Sequence, residues 1–518
     1  MGLNNKIAKV CFNIINLLFV VIVTYFLFIN IFYVNYMANE INAQIIKNPS
    51  FKVILLVLGL LILLFIIYKI INNLKGRSLK ILSLILFMMS MIFSFMVVSS
   101  FNTAPTSDQI AMIYSVYDAV FDNPHALDIG GYINIHAHQA GLFSFLFLPV
   151  KIFLENWHNY YIFNALLIQT SLILIYFSIK KLYGIKQSIF TYILFMIFIP
   201  IYFLSFVVYG EPFLVLILAL TLFIYAFNFK YGDYLYALLF GIGSMLRSNV
   251  IVLLIAFLII KILNIINNKN YKALISCVLC ILIYLIPSNL NIVYLENKYD
   301  VQIGENSIPF ENWLAIGLNY SRLGEPGIFD PFGYNTFVQS GYNKEISKEK
   351  YHEKIKESLN NFKDLAYTKN FFVRKSVLTW SDPDFEVMNY VFENKHLDCV
   401  GINDISGNGP KEATYNNGLG KFVYDNFYNI RNYERGFNIT IIAVGLLIAI
   451  LNKQKDNLRY FLELSLIGNF LLYLLIETKP RYVIIPFMFM ILIAGIYSDE
   501  IFDKIDTVKD KFLKRKLS

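Results

Sequence analysis

Runs of about 20 apolar residues, each closed by a short polar or charged stretch, recur along most of the chain. At about 1.5 Å of rise per residue, one such run crosses about 30 Å of hydrocarbon. The pattern predicts membrane helices near 11–34, 52–70, 80–99, 161–179, 188–207, 212–228, 233–246, 248–263, 272–289, 437–452, 460–476 and 481–497. The 233–246 run is short, and Arg247 between it and the next predicts a tight hairpin. The first run is too long for a signal-peptide core and lacks a small-residue cleavage site, so it is expected to remain as a span.

Two long polar segments interrupt these runs. The expected organisation is N-terminal spans over 1–99, a first long extracytoplasmic loop with juxtamembrane helices over 100–160, and central spans over 161–289. An extracytoplasmic domain over 290–436 and C-terminal spans with a basic tail over 437–518 follow. The expected fold class is an all-α polytopic membrane protein of about twelve transmembrane helices with a mainly helical extracytoplasmic domain.

Composition agrees, since 57% of the 518 residues are hydrophobic and 15% charged, leaving lipid and other helices as the main solvent. Lysine and arginine set the orientation. Lys6 and Lys9 precede the first run, while Lys69, Lys75, Arg77 and Lys80 follow the second, and Lys180, Lys181 and Lys186 follow the fourth. Placing these in the cytoplasm, with Lys230, Lys261, Lys269, Lys272, Lys453, Lys455, Arg459 and the tail from Lys504 to Lys516, makes both termini cytoplasmic. That assignment requires Gly141 to Phe153 to be a juxtamembrane or re-entrant helix rather than a crossing. The net charge of +8 then reflects topology, and no nucleic-acid partner is expected.

Cysteine usage adds little chemistry. Cys11, Cys277 and Cys280 fall in predicted spans and Cys399 is alone in the second outer segment, so neither a disulfide nor a cysteine-bound metal is expected. There is no internal repeat, P-loop or dinucleotide fingerprint, and no cofactor is expected.

Polar chemistry concentrates in the outer segments. Ile110, Ile113, Val116 and Val120 recur at helical spacing and predict a helix over Gln109–Val120, with Asp108 at its start as a possible N-cap. Four of six histidines, His125, His136, His138 and His158, lie in this one loop. His136 and His138 would share a face of extended chain and could bind a metal, but no Cys or Glu partner is fixed nearby, which favours polar contacts to a lipid phosphate. Tyr209-Gly210-Glu211-Pro212, Leu246-Arg247-Ser248-Asn249 and Glu477-Thr478-Lys479-Pro480-Arg481-Tyr482 form short outer turns. Arginine there suits a lipid-linked phosphate, because its fork of donors can hold two oxygens.

The second outer segment contains Trp313, a Gly-Pro-rich stretch over 324–333 and a helix predicted over Ser347–Phe362, capped by Ser347 with Tyr351, Ile355, Leu359 and Phe362 on one face. Trp380-Ser381-Asp382-Pro383-Asp384-Phe385 reads as a packed surface turn, and Asn403–Gly420 as a mobile loop.

The Asp108 loop, the Tyr132–Gly141 stretch ending His-Gln-Ala-Gly, the Asn164-Ala165-Leu166-Leu167 and Lys180-Lys181-Leu182-Tyr183-Gly184 flanks, and Arg481-Tyr482 together resemble bacterial glycosyltransferases of the GT-C superfamily. The turns at 209–212 and 246–249 are similar to those of mannosyltransferases that build lipid-anchored glycans. Many relatives carry Asp-Glu where this chain has Asp108-Gln109, and carry that loop after the first span rather than the third.

The resemblance implies a GT-C-like membrane enzyme that takes a polyprenyl-phosphate-linked sugar as donor. The acceptor would be a hydroxyl on a cell-envelope glycan or protein, with membrane lipids as further partners. Asp108 would be the base, and Arg247, Arg481 and His138 would hold the donor phosphate. His136, Gln139, Glu211 and Tyr482 would contact substrate, and no metal is expected. A lipid-linked glycan polymerase or ligase would share these features, whereas a transporter or flippase predicts ionisable residues deep within spans.

Overall fold

A computed structural model describes residues 6–39, 42–106, 108–392, 415–451, 456–499 and 501–504. Expectations for Cys399, Lys453, Lys455, most of Asn403–Gly420 and the tail after Lys504 lie outside the described residues. α1 (Lys6–Phe32) leads into an antiparallel hairpin, β1 (Tyr33–Asn39) and β2 (Asn42–Lys47), followed by α2 (Phe51–Asn73) and α3 (Arg77–Ser99). The first polar segment folds as α4 (Asp108–Val120), α5 (Tyr132–Ile135) and α6 (Ala140–Phe153).

Seven helices follow: α7 (Trp157–Tyr183), α8 (Ile185–Ile197), the one-turn α9 (Pro200–Phe203), α10 (Glu211–Phe227), α11 (Gly232–Leu246), α12 (Ile251–Asn268) and α13 (Leu274–Tyr299). The second polar segment holds α14 (Glu311–Gly317), α15 (Pro331–Gln339), α16 (Lys344–Asn361), α17 (Leu365–Trp380) and α18 (Gly418–Asp425). α19 (Phe427–Leu451), α20 (Asn457–Leu475) and α21 (Ile484–Tyr497) come last.

Among the described residues, nine helices are long and apolar enough to cross a membrane, and α8 with α9 adds a tenth if the bent pair is one span. The remaining two expected spans, α10 and α11, have 17 and 15 residues. They are shorter than the about 20 residues of a typical span. The apolar runs themselves, 212–228 and 233–246, are no longer than the helices they form. At 14 residues, α6 is shorter still.

The apolar run over 188–207 is not one straight helix. It breaks after Ile197 and turns by 67° into Pro200–Phe206. Pro200 cannot donate to a helical ladder, so the break frees backbone groups that need other partners in an apolar interior. Glu434 Oε1 accepts the Ile199 N–H at 3.3 Å. The Tyr433 and Tyr202 hydroxyls donate to the Ile197 and Met196 carbonyls at 3.0 and 2.9 Å.

Two further expectations are corrected. The 380–385 turn is buried rather than at the surface: Asp382 and Asp384 are 1% and 0% exposed, and Arg431 of α19 reaches both at 3.3 and 2.6 Å. α16 is capped by Asn343, whose side chain accepts from the Glu345 and Ile346 N–H groups, and Ser347 lies inside the helix. Of its expected apolar face Tyr351 is buried, but Leu359 is exposed.

Candidate functional site

The sequence brings five separate segments to one place through specific close approaches. Gln109 follows Asp108 on α4 and is fully buried, and its Oε1 accepts the Val208 N–H. Asn164 of α7 donates to the Ser205 and Val207 carbonyls, both at 3.1 Å. These bonds fix the non-helical stretch after α9 and thereby the turn that carries Tyr209 and Glu211. At Gly210 a Cβ would lie 2.7 Å from the Leu246 carbonyl and 3.0 Å from Arg247 Cγ, so only glycine lets the two outer turns meet. Gly141 does the same for α6, where a Cβ would be 2.3 Å from the Met245 carbonyl. The His-Gln-Ala-Gly stretch is thus docked beside Arg247.

At the centre lies Glu211, 2% exposed, at the N-terminus of α10. It pairs with Arg247, and Arg481 Nε stands 3.4 Å from the same Oε1. Aromatic rings enclose the two guanidiniums. Arg481 lies over Tyr209 at 4.6 Å, Tyr390 at 5.5 Å and Tyr482 at 5.7 Å, and Arg247 over Tyr209 and Tyr482 at 5.2 and 5.3 Å. Such faces stabilise a cation without neutralising it. Two guanidiniums thus share the one Glu211 carboxylate.

From Arg247 the site continues through the histidines. The His138 ring meets His136 at 5.8 Å and Trp313 of α14 at 5.3 Å. The His138 ring is exposed, with His136 and Trp313 crowding it. That crowding lowers its pKa, and His136 and the Arg247 guanidinium push the same way, so the ring is neutral at pH 7. His136 is likewise lowered by burial, while the negative charge of Asp108 opposes the shift. Asp108 itself is exposed at the first turn of α4.

Contacts, or in two cases charge acting at longer range, link the eight residues expected from sequence. Asp108 acts on His136, His136 touches His138, His138 feels Arg247, and Arg247 and Arg481 share Glu211 beside Tyr482. Gln139 joins through Tyr132, whose hydroxyl takes a hydrogen bond from its Nε2 at 3.2 Å and whose ring lies 4.9 Å from His136. Sequence reasoning missed the site roles of Tyr132, Tyr209, Trp313, Tyr390 and Tyr473. Tyr473 accepts from Asn249 Nδ2 at 2.6 Å and donates to the Tyr482 carbonyl at 3.3 Å. Of these only Tyr209 carried a signal, its place beside Gly210 in a turn.

Lys375 of α17, 0% exposed, ties the outer segment to the bundle near the site. Its Nζ donates to the Gly317, Ile476 and Leu474 carbonyls at 2.5, 2.7 and 3.1 Å. Burial pushes its pKa well down and Glu477 opposes that. Three short bonds to acceptors need three N–H groups at once, which only the ammonium form has, so we assign Lys375 as charged.

Among the described residues, no three His, Cys, Asp or Glu side chains stand together as metal ligands. Comparison of the chain with protein-family models, with curated proteins and with solved structures finds no match.

Proposed function

We propose that the protein is a GT-C-like membrane glycosyltransferase that moves a sugar from a polyprenyl-phosphate donor to a hydroxyl acceptor on the extracytoplasmic face. The observation that carries this reading is the convergence of Asp108, the two histidines and the Glu211–Arg247–Arg481 group from five distant segments. In this reading the chain crosses the cell membrane twelve times, counting α10, α11 and the bent pair, with both termini cytoplasmic.

Asp108 takes the proton of the acceptor hydroxyl, whose oxygen attacks the anomeric carbon. The bond from that carbon to the phosphate oxygen breaks with inversion, and its electron pair leaves on the polyprenyl phosphate. The donor is a phosphodiester with one negative charge, and the leaving group gains a second. A site that offers two guanidiniums and neutral histidine donors therefore binds more tightly as the reaction proceeds, which is where catalysis needs the interaction. Transport finds less support, since Glu463, deep in α20, is paired with Arg459 of the same helix at 2.8 Å.

The test is sugar transfer from a panel of radiolabelled polyprenyl-phosphate sugars by purified protein, wild type beside Asp108→Asn. We expect transfer by the wild type and loss of at least about a hundred-fold in the variant, the usual scale for a general base. Undiminished turnover by Asp108→Asn would falsify the assignment of the base, and no transfer from any donor would remove the reading itself.

A further inference from the structure

Two of the three tryptophans, Trp380 and Trp157, have evident packing roles. Trp380 is buried and stacks on Phe26 with ring centroids 4.3 Å apart. Trp157 lies between Tyr114 and Tyr160, 6.1 Å from each. Trp313 is half-buried like Trp157, but its ring stands against His138, at 81°, rather than between tyrosines. The two planes form a corner beside the group that holds Arg247.

The indole is not needed to place its own helix. The Trp313 carbonyl accepts the Glu477 N–H at 3.0 Å, and the Gly317 carbonyl accepts from Lys375. Gly317 presses on the end of α20 so closely that a Cβ would be 2.3 Å from the Leu475 carbonyl. α14 is thus anchored by its backbone, and it carries a large, partly uncovered ring to His138. Apolar surface left open beside convergent polar groups is the composition of a ligand site.

A hexose matches that corner: one face is a sheet of C–H groups suited to an indole face, and its rim carries hydroxyls suited to histidine. We propose that Trp313 is the platform on which the sugar ring of the donor stacks, with His138 at the junction of sugar and phosphate. This inference rests on the glycosyltransferase reading above and assigns Trp313 to the specificity of that site.

The test is intrinsic fluorescence in detergent, titrating wild type, Trp313→Phe, Trp313→Leu and Arg247→Gln with farnesyl phosphate and with farnesyl-phosphate-linked glucose, mannose, galactose and N-acetylglucosamine. We expect farnesyl phosphate to bind with an affinity that depends on Arg247 and not on Trp313, measured by competition. At least one sugar-bearing ligand should change the emission of wild type but not of Trp313→Phe. Trp313→Leu should weaken that ligand about ten-fold, the scale of one aromatic contact, with unchanged affinity for farnesyl phosphate and an unchanged thermal midpoint. Sugar-bearing ligands that bind Trp313→Leu as tightly as wild type would overturn the platform and leave the phosphate site standing. Failure of wild type to bind any of the five ligands would overturn both.

Discussion

Gln109 accepts the backbone N–H of Val208 through its side-chain oxygen, so the residue after the candidate base also fixes the stretch that leads to Glu211. Both ends of the bond are buried, and removing the acceptor leaves an N–H with no water to turn to. Gln109→Met, close in shape but without the acceptor, should cost about 1–3 kcal/mol. Thermal unfolding in detergent reads this as a lower midpoint, with sugar transfer reduced alongside. An unchanged midpoint would show that the turn is held without Gln109.

Glu211 is the shared counter-charge of two arginines, and Arg481 is 2% exposed. Glu211→Ala should destabilise by about 3–5 kcal/mol, the scale for stranding a buried charge. Glu211→Ala combined with Arg481→Met should recover part of that loss, because one stranded cation is then gone. If the double variant is less stable than wild type by the full sum of the two separate effects, the two residues do not interact.

Lys375 meets three carbonyls, two of them from the C-terminal end of α20. A cation there also faces the negative end of the helix. Lys375→Met should cost at least about 3 kcal/mol by leaving several buried carbonyls unpaired. Limited proteolysis should then cut the outer segment between α13 and α19 faster than in wild type. Equal cleavage rates would contradict this anchoring role.

Asp382 and Asp384 face one guanidinium, that of Arg431, with the Glu434 carboxyl also near Asp384 and the Tyr36 ring against Arg431. Burial pushes the Asp384 carboxyl up to about 7, Arg431 pulling it down and Asp382 pushing it up. The folded state therefore binds a proton more tightly than the unfolded chain, where the group titrates near 3.8. Stability from this proton is present below the unfolded value and lost as pH rises through about 7. The thermal midpoint of wild type should fall between pH 5 and pH 8, and Asp384→Asn should flatten that fall. A midpoint that rises across the same range in both proteins would refute the assignment.

The helical parts were legible wherever one periodicity ruled a segment. α4 appears over the predicted stretch, although its buried face runs through Met112, Ile113, Val116 and Ala119, so that Ile110 is only partly covered. What stayed hidden depends on distant partners. The break at Ile197 could not be placed from hydropathy, since its freed backbone groups are met by Tyr433 and Glu434, far along the chain. The hairpin of β1 and β2 sits in polar sequence between two spans, and its Asn35 N–H bonds to the Ser381 carbonyl. Trp380–Phe385 looked like a surface turn because its aspartates are charged, and only Arg431 makes their burial tolerable. The candidate site residues stand out in the sequence as charges and histidines in turns. Their aromatic surroundings carried no local signal, since tyrosine is common throughout this chain.

The pairing of Glu211 with Arg247 bears on how the chain is built. α10 and α11 are each short, are joined by a few residues, and bear these opposite charges at their free tips, 36 residues apart in sequence. During synthesis they are complete well before Arg481 exists. A helical pair whose tip charges cancel can cross an oily barrier that either charge alone would resist. Arg481 then arrives last, on a carboxylate already engaged. The second guanidinium therefore reaches this carboxylate only in the finished bundle.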